Sequence, residues 1–600
     1  LVCAYLSQPA TGRKSEGGVI MKKQTTFHRL LTYMWRYKWV SILALTFIFA
    51  TTLVTTALPL LARYFIDHFI SRRQIMAGFY ILILYYALFL LRVLFTFLGQ
   101  YSFARVAYSI VRDLRQESFE NIERLRMAYF DQTAAGAIVS RLTNDTQAVA
   151  DMFSSIFSSF LSSIFILVVT VVTMCTLNWR LTGLIVLFLP VILGSILLYQ
   201  RLSHRLLKLV RSKLSDLNVK LSESIEGMRI IQAFGQENRL IKEFETINGE
   251  HLDYTVRYLN INSLFLRPAM SLLKILAYAV ILAYFGFTWQ IAGVTAGVMY
   301  AFVQYVNQLF NPLIDLMQNY SVLQTSIVAA GRVFEIMDRK DYEPKQTNLP
   351  LEITDGKIEF RHVSFSYDGK HDILKDISFS VKQGETIAFV GATGSGKSSI
   401  INLFLRFYEF ERGEILIDNQ NIKDYGQAEL RRNVGLVLQD PFLYHGTIAS
   451  NIKMYQENLG REEIIEAAKF VDAHDFISRL PANYDSPVTE RGATFSSGQR
   501  QLLAFARTIA SKPKILILDE ATANIDSETE ELIQSSLRKM RQGRTTIAIA
   551  HRLSTIQDAN CIYVMEQGRI IELGTHEELL TLNGTYYKMY QLQAGMMGEE

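Results

Sequence analysis

Long apolar runs alternate with charged segments along the first half of the 600-residue chain. A helix needs roughly 20 mainly apolar residues to cross a hydrocarbon layer about 30 Å thick. Six runs meet this condition, at residues 39–61, 77–98, 153–177, 181–199, 268–287 and 294–316. Tryptophans at several of their edges are typical of interfacial anchors. The pattern predicts an all-α domain of six membrane-spanning helices.

Two long, charged connections, between the second and third runs and between the fourth and fifth, are predicted to be helical. Both connections and the N-terminal segment are rich in arginine and lysine, so the positive-inside rule places them in the cytoplasm. Arg72 and Arg73 in the first outer loop oppose this and are outnumbered. We expect a multi-pass protein of the cytoplasmic (inner) membrane, with both termini inside. Breaks around 133–138 and 224–235 predict a short transverse helix in each hairpin.

The second half has a different pattern. Residues 336–350 are polar and aperiodic, as in a domain linker, and short strand-like runs follow at 357–360, 363–367 and 377–381. We therefore predict a membrane domain at 25–335, a linker at 336–352 and a second domain at 353–600. The segment before Met21 has no apolar run long enough for a signal peptide. Residues 1–24 are expected to be an extension or tail.

A glycine-rich loop follows the strand-like run at 387–390. It reads Gly391-Ala392-Thr393-Gly394-Ser395-Gly396-Lys397-Ser398 and leads into an apolar helix from Ile400. This order fits the phosphate-loop pattern, in which backbone N–H groups and a helix N-terminus face phosphates. Lys397 is predicted to reach the β- and γ-phosphates of ATP, and the Ser398 hydroxyl to bind Mg²⁺. The other predicted ATP-binding residues of this segment are Gly391, Gly394, Ser395, Gly396 and Ser399.

A second buried run, at 515–518, ends in the acidic pair Asp519-Glu520. One carboxylate at such a position can hold Mg²⁺, directly or through water, and the next can polarise the attacking water. An acidic pair after a strand is by itself often a surface turn. Because this pair follows a phosphate loop in the chain, we predict Asp519 as a metal ligand and Glu520 as a catalytic residue.

The segment Phe495-Ser496-Ser497-Gly498-Gln499 precedes the acidic strand and leads into a helical run at 500–510. With these motifs, residues 357–580 resemble the ATP-binding cassette, and residues 25–330 resemble the six-span exporter domain usually fused to it. The family pattern at this signature is Leu-Ser-Gly-Gly-Gln. The resemblance implies that Ser496, Ser497, Gly498 and Gln499 bind the γ-phosphate of ATP held by the opposite subunit. It also implies an α/β P-loop nucleotide-binding domain after the membrane domain and its long cytoplasmic helical extensions.

The resemblance implies roles for further single residues. Tyr367 matches the aromatic residue that stacks on adenine, although a buried strand tyrosine is the alternative. Gln439 matches the glutamine that senses Mg²⁺ and the membrane domain. Asp526 lies in the segment that crosses to the other subunit, and His551 matches the histidine that contacts the γ-phosphate. Gln439 and His551 thus join Glu520 as predicted catalytic residues, and Gln439 joins Ser398 and Asp519 as a metal ligand.

The signature departs from the family pattern twice, with Phe495 for leucine and Ser497 for the first glycine. A serine adds a side chain where backbone should approach phosphate closely, which weakens the composite site that uses the partner's phosphate loop. In the family this resembles heterodimeric bacterial exporters, in which one site hydrolyses ATP and the other mainly holds it. We therefore favour a second, different half-transporter as partner, over a homodimer with a functional Phe-Ser-Ser-Gly-Gln signature.

Charge and cysteine content exclude other classes of function. The net charge of +4 gives no case for nucleic acid as a partner. Cys3, Cys175 and Cys561 form neither a metal-ligand spacing nor a disulfide framework. The resemblance implies ATP-driven export of amphipathic small molecules, of multidrug type, across the cytoplasmic membrane by alternating access, with membrane lipids as further partners. A lipid flippase is the alternative, and a regulatory protein in which ATP gates a partner is less favoured because Lys397, Glu520 and His551 are intact.

Overall fold

The structure is a computed structural model, and it describes residues 26–265, 268–288, 295–347, 349–454, 456, 458–519, 527–550 and 553–593. The chain divides into two compact units. The first comprises Leu1–Glu123 and Ala134–Arg339, and the second comprises Arg124–Thr133 and Lys340–Glu600. A short segment of the predicted membrane domain, Arg124–Thr133, therefore belongs structurally to the second unit.

The described part of the first unit is helical. Its α-helices are Thr26–Arg36, Lys38–Phe65, Phe79–Ile122, Ala135–Ser140, Thr146–Asp151, Ser158–Leu177, Trp179–Val186, Phe188–Glu226, Met228–Ala233, Glu237–Phe265, Pro268–Thr288 and Ala296–Met337. Single π-helical or 3₁₀ turns extend or join some of them, at Ile66–Ile70, Ile75–Gly78, Arg141–Asp145 and Met152–Phe157. Several helices run far past the length that a bilayer requires, as expected for rods that extend beyond it.

Five helical stretches among the described residues are long and apolar enough to cross a membrane. They are Lys38–Ile70, Ile75–Ile122, Ala135–Leu177, Trp179–Glu226 and Glu237–Phe287. The sixth predicted span falls on the helix Ala296–Met337, which is long enough but is not among these five. Its first residue in the prediction, Val294, lies outside the described residues.

The polar residues of the helix Ala296–Met337 explain this difference. Gln304, Asn307, Gln308 and Asn311 interrupt its apolar sequence and lower its hydropathy. The opposite face is deeply buried, since the side chains that form it are 0–2% exposed: Phe302, Tyr305, Val306, Leu309 and Phe310. Inside a helical bundle, polar side chains can hydrogen-bond to neighbouring helices, so an interior helix need not be apolar all round.

A tight turn joins the predicted third and fourth spans. Asn178 is the N-cap of the helix Trp179–Val186, and its Oδ1 accepts hydrogen bonds from the N–H groups of Arg180 and Leu181, each at 3.1 Å. These bonds satisfy donors that a helix start leaves free. The predicted short connection at 178–180 is thus an N-cap and the first turn of the next helix.

A short helix lies in or beside each predicted break of the long hairpins: Met228–Ala233 lies within 224–235, whereas Met127–Gln132 ends just before 133–138. Met127–Gln132 belongs to the second unit, whereas Met228–Ala233 belongs to the first. The second short helix connects Phe188–Glu226 with Glu237–Phe265, two rods that an ion pair between Lys213 and Glu250 joins at 2.6 Å. At this tip Ile230 and Phe234 are 65% and 74% exposed. We call the segment Met228–Phe234 the second tip; most of its apolar side chains are exposed among the described residues.

The second unit contains all the described strands. They are β1 Ile358–Phe365, β2 Leu374–Val381, β3 Thr386–Val390, β4 Arg412–Ile417, β5 Gln420–Asn421, β6 Val434–Val437, β7 Gly446–Thr447, β8 Pro487–Val488, β9 Ile515–Asp519, β10 Thr545–Ile549, β11 Cys561–Glu566 and β12 Arg569–Gly574. Besides Met127–Gln132, its α-helices are Lys397–Phe404, Gln427–Asn433, Ile448–Lys453, Arg461–Phe470, His474–Ser478, Ser497–Ala510, Ser527–Arg541, His576–Thr581 and Thr585–Gln593.

These strands form one mainly parallel sheet, one antiparallel sheet and a two-stranded pair, β7-β8. The larger sheet has the order β12-β11-β3-β10-β9-β6 and is parallel except for β12. The antiparallel sheet has the order β2-β1-β4-β5, and the runs predicted at 357–360 and 363–367 form its single strand β1 with a register shift between Phe360 and Val363. The predicted class, a helical membrane domain followed by an α/β domain, is confirmed.

Candidate nucleotide-binding site

The candidate site lies at the carboxyl edge of the parallel sheet. Strand β10 pairs with both neighbours in one register, so that Ile549 lies opposite Phe389 of β3 and Asp519 of β9. Leu518 of β9 in turn lies opposite Val437 of β6. Because these strands are parallel, the phosphate loop after β3, Asp519 at the end of β9 and the residues that follow β6 all lie at this edge. Ligands of open α/β sheets bind at this edge.

Glycines shape the phosphate loop through close approach and backbone conformation. A Cβ on Gly391 would stand 2.2 Å from the Met565 carbonyl oxygen, so no side chain fits there. Gly396 is the N-cap of the helix Lys397–Phe404 and has a φ of 102°, a left-handed conformation that favours glycine. The helix thus begins three residues earlier than the predicted Ile400, directly behind the loop.

The polar side chains of the loop differ in exposure and in the hydrogen bonds that they make. Lys397 is 5% exposed, and its Nζ donates hydrogen bonds to the carbonyl oxygens of Gly391 at 2.7 Å and Ala392 at 3.0 Å. Ser395 and Ser399 are also buried, whereas Ser398 is exposed. The ammonium group is therefore held over the loop, and Ser398 is the exposed one of these three serines.

Tyr367, the predicted adenine contact, belongs to an aromatic cluster and is 46% exposed. Its ring stands edge-on to Tyr408, with centroids 4.8 Å apart, and its hydroxyl lies 3.0 Å from Ser399 Oγ. The Tyr408 hydroxyl donates a hydrogen bond to the carboxylate of Asp131, on the short helix Met127–Gln132. Burial and this bond raise the pKa of Tyr408 above its ordinary value. Sequence reasoning missed Tyr408, because nothing in its neighbourhood along the chain distinguishes it from a core aromatic.

Two of the predicted metal ligands follow strands at the carboxyl edge. Asp519 is the last residue of β9, and Gln439 is exposed two residues after β6. Among the described residues no group of three or more His, Cys, Asp or Glu side chains could hold a metal ion. A mixed set of one carboxylate, one hydroxyl and one amide still fits Mg²⁺, which usually binds one or two carboxylates together with substrate phosphates. Glu520, Asp526 and His551 lie outside the described residues.

The signature forms the start of the helix Ser497–Ala510. Ser496 is the N-cap; its hydroxyl accepts the N–H of Gln499 at 3.2 Å, while Gln499 Oε1 accepts the N–H of Ser496 at 3.1 Å. This capping box starts the helix three residues before the predicted one. Phe495 is buried at 8% exposure, which explains how this position takes a large apolar side chain. Ser497, in the first turn, is half-buried.

Sequence reasoning also missed Arg507, which ties the signature helix to the segment that follows Gln439. Its Nη1 donates to the Phe442 carbonyl oxygen at 2.9 Å, and its Nε donates to the Asn451 carbonyl oxygen at 2.8 Å. Nη2 donates to the Asn451 side chain at 3.0 Å. Burial lowers the pKa of Arg507 below its ordinary value. A sequence signal was lacking because the partners are backbone oxygens far along the chain.

Two families of known proteins match this chain. Residues 41–313 match the ABC transporter transmembrane region, and residues 374–523 match the ABC transporter family, which is its ATP-binding part. The first match covers most of the apolar helices. The second begins at β2 and includes the phosphate loop, the signature and the acidic pair.

Individual proteins are similar over nearly the full length. The chain is 60% identical to an ABC transporter ATP-binding protein of Streptococcus pneumoniae, exp8, over 96% of this chain and 98% of that one. It is 42% identical to a protein of Bacillus subtilis named as a probable multidrug resistance ABC transporter ATP-binding/permease protein, YheH, over 85% and 76%. A solved bacterial Atm1-family ABC exporter with ATP bound is similar in structure, with a TM-score of 0.75 and 30% identity over 94% and 99% of the two chains.

Proposed function

This chain belongs to the ABC transporter family, as a transmembrane domain fused to an ATP-binding domain, and from that premise we propose that it exports amphipathic small molecules of the multidrug type by alternating access. It is a multi-pass membrane protein and an ATPase coupled to transport. The observation that most directly supports this proposal is that the strand before the phosphate loop and the acidic strand end at the same edge of a parallel sheet. The name of the relative YheH supports the class of cargo.

The proposed ATP site assigns each residue a task. Lys397 binds the β- and γ-phosphates, and Tyr367 stacks on the adenine from its half-exposed position. Ser398, Asp519 and Gln439 would hold Mg²⁺, which when bound neutralises charge on the phosphate oxygens. Glu520 polarises the attacking water, and His551 contacts the γ-phosphate; these two assignments rest on the sequence.

We propose that the functional unit is a dimer, with a different half-transporter as the second chain. The signature and Asp526 act on ATP held by the partner, and the second tip exposes Ile230 and Phe234 for a partner to cover. Ser497 stands in the first turn of the signature helix, where a side chain limits the approach of phosphate. The composite site built on this signature is therefore the weaker one, and the site with Lys397 and Glu520 hydrolyses ATP.

The proposed cycle places both termini in the cytoplasm, because the basic residues of the N-terminal segment and of the long hairpins face inward. Two ATP molecules close the two ATP-binding domains, and the cytoplasmic helical extensions transmit this closure to the spans, which turn from inward- to outward-facing. Hydrolysis at the Glu520 site reopens the ATP-binding domains and resets the transporter.

Substitution of Glu520 by glutamine tests this function in proteoliposomes that contain the purified dimer. We expect ATP binding to persist and ATP hydrolysis to fall by about 10²-fold or more, because the attacking water loses its base. ATP-dependent uptake of a fluorescent amphipathic dye should stop with it. Glu577→Gln, a change of an exposed glutamate in the helix His576–Thr581, is the matched control and should change neither rate.

The outcomes separate the alternatives. Unchanged ATP hydrolysis in Glu520→Gln would show that the catalytic assignment is wrong. Movement of a fluorescent phospholipid without dye uptake in the unaltered protein would identify a lipid flippase. ATP hydrolysis with no movement of either probe would favour the regulatory alternative.

A further inference from the structure

A proline breaks the hydrogen bonding of the first membrane helix, Lys38–Phe65. Pro59 lies inside this helix and is buried. Proline has no N–H, so the carbonyl oxygen of Thr55, four residues earlier, loses its usual donor. In a membrane-spanning segment no lipid group can replace that donor, and an unpaired carbonyl costs free energy. The oxygen of Thr55 therefore needs a donor from another helix.

Gln308 of the helix Ala296–Met337 supplies this donor. Its Nε2 donates to the Thr55 carbonyl oxygen at 3.1 Å, and its Oε1 accepts the hydroxyl of Thr170 at 3.3 Å. Thr170 is fully buried, at 0% exposure, in the helix Ser158–Leu177. One amide side chain thus joins three helices at the level of the proline.

The threonines beside Pro59 cannot take over this task. The hydroxyl groups of Thr51, Thr52, Thr55 and Thr56 all donate to carbonyl oxygens one turn earlier in their own helix. Such bonds favour a bend. The next carbonyl, that of Thr56, accepts the hydroxyl of Tyr305 at 2.7 Å. The carbonyl groups of Thr55 and Thr56, beside the proline, are therefore both bound by the helix Ala296–Met337.

The helix Ala296–Met337 also has a proline close to Gln308, where its own hydrogen bonding is interrupted. Pro312 lies four residues after Gln308, so the backbone carbonyl of Gln308 also loses its usual donor. Toward the far end of the pair, Asp67 accepts the hydroxyl of Thr295 at 2.6 Å and the N–H of Gly297 at 2.8 Å. The two helices are thus held at two levels, with both prolines near one of them.

We infer that Gln308 is a positioning residue for the transport cycle: it binds the carbonyl that Pro59 frees, and so fixes the bend of the first membrane helix to the last membrane helix of the same chain. The bond holds the two helices at one relative angle, and their hinge points, Pro59 and Pro312, then bend together. Its role in transport rests on the proposed export function, whereas the bond itself does not.

A double-mutant cycle tests the inference. Gln308→Leu leaves the Thr55 carbonyl and the Thr170 hydroxyl unpaired, so Tm of the purified protein in detergent should fall by about 2–4 °C. Dye transported per ATP hydrolysed should fall by about five-fold or more, because the spans no longer follow the ATP-binding domains. Pro59→Ala restores an N–H for Thr55 within the helix. In that background the same Gln308→Leu change should lose less than half as much in both measurements.

Gln304 provides the matched control. It lies one turn before Gln308 in the same helix and makes no hydrogen bond within the described part of the chain. Gln304→Leu should therefore leave Tm unchanged.

Equal losses from Gln308→Leu with and without Pro59→Ala would overturn the inference, as would no loss in either. If Gln308→Leu fails to fold alone, recovery of folding with Pro59→Ala supports the inference and continued failure contradicts it. The Tm measurement requires no cargo, so it would still test the hydrogen bond even if the protein did not export amphipathic molecules.

Discussion

Arg507 shows how one half-buried side chain can hold a loop and a short helix beside the candidate site. Its guanidinium group binds the carbonyl oxygens of Phe442 and Asn451 and the side chain of Asn451. Burial lowers its pKa, but three hydrogen bonds satisfy the charge in part. The rigid fork of arginine suits this set of acceptors, whereas the single ammonium of lysine does not.

We therefore predict that Arg507→Lys destabilises the protein by about 1–3 kcal/mol, because the acceptors of the buried Asn451 lose their donors. ATP hydrolysis should fall as well, since the segment after Gln439 loses its attachment to the signature helix. Thermal unfolding in detergent and steady-state ATPase rates measure the two effects. Arg538→Lys, on the exposed side of the helix Ser527–Arg541, is the control; equal effects at both positions would show that Arg507 has no special role.

At the scale of elements, the short helix Met127–Gln132 is joined to the aromatic cluster around the predicted adenine contact. Tyr408 packs edge-on against Tyr367 at 4.8 Å and donates its hydroxyl to Asp131 of that helix. A helix of six residues is too short to be stable alone. Its position therefore depends on contacts such as this one.

We predict that Tyr408→Phe keeps ATP binding but weakens the response of hydrolysis to cargo. The ring still packs against Tyr367, while the carboxylate of Asp131 loses its donor. Cargo-stimulated ATPase activity should drop about three- to ten-fold, as expected for a loss of roughly 1 kcal/mol. Tyr444→Phe is a suitable comparison, because the Tyr444 hydroxyl makes no hydrogen bond among the described residues. Unaltered stimulation in Tyr408→Phe would rule the contact out as a coupling element.

At the scale of the whole molecule, the second tip bears on the proposed dimer. Ile230 and Phe234 are 65% and 74% exposed at the end of two long rods. Exposed apolar side chains grouped at one place mark a contact surface. We propose that the partner half-transporter covers them.

Replacement of Ile230 by aspartate should leave the fold of this chain intact, because the residue is exposed. It should weaken the coupling of cargo transport to ATP hydrolysis. We expect at least a five-fold fall in transport per ATP, as for loss of an apolar anchor at an interface. Leu252→Asp, at a 61% exposed position on the adjoining rod Glu237–Phe265, serves as the control. A tip variant that transports normally would contradict the proposed contact.

Local patterns were sufficient for most of the fold and for the place of the phosphate loop. The apolar runs predicted helices long enough to span a membrane, and the phosphate loop in its strand–loop–helix order predicted the place of Lys397 and Ser398. The residues at which helices begin were predicted less well. The helices that begin at Lys397 and Ser497 start earlier than predicted, because Gly396 and Ser496 cap them.

What the sequence by itself determined is local: helices long enough to span a membrane, the places of strand-like runs along the chain, and the residue types that suit phosphate. Tertiary structure decided the partners that lie far apart in the chain, such as Tyr408 with Asp131 and Gln308 with Thr55. The reason is physical. A proline in a sequence shows that a carbonyl has lost its donor, but only the packing of helices decides which distant side chain replaces it.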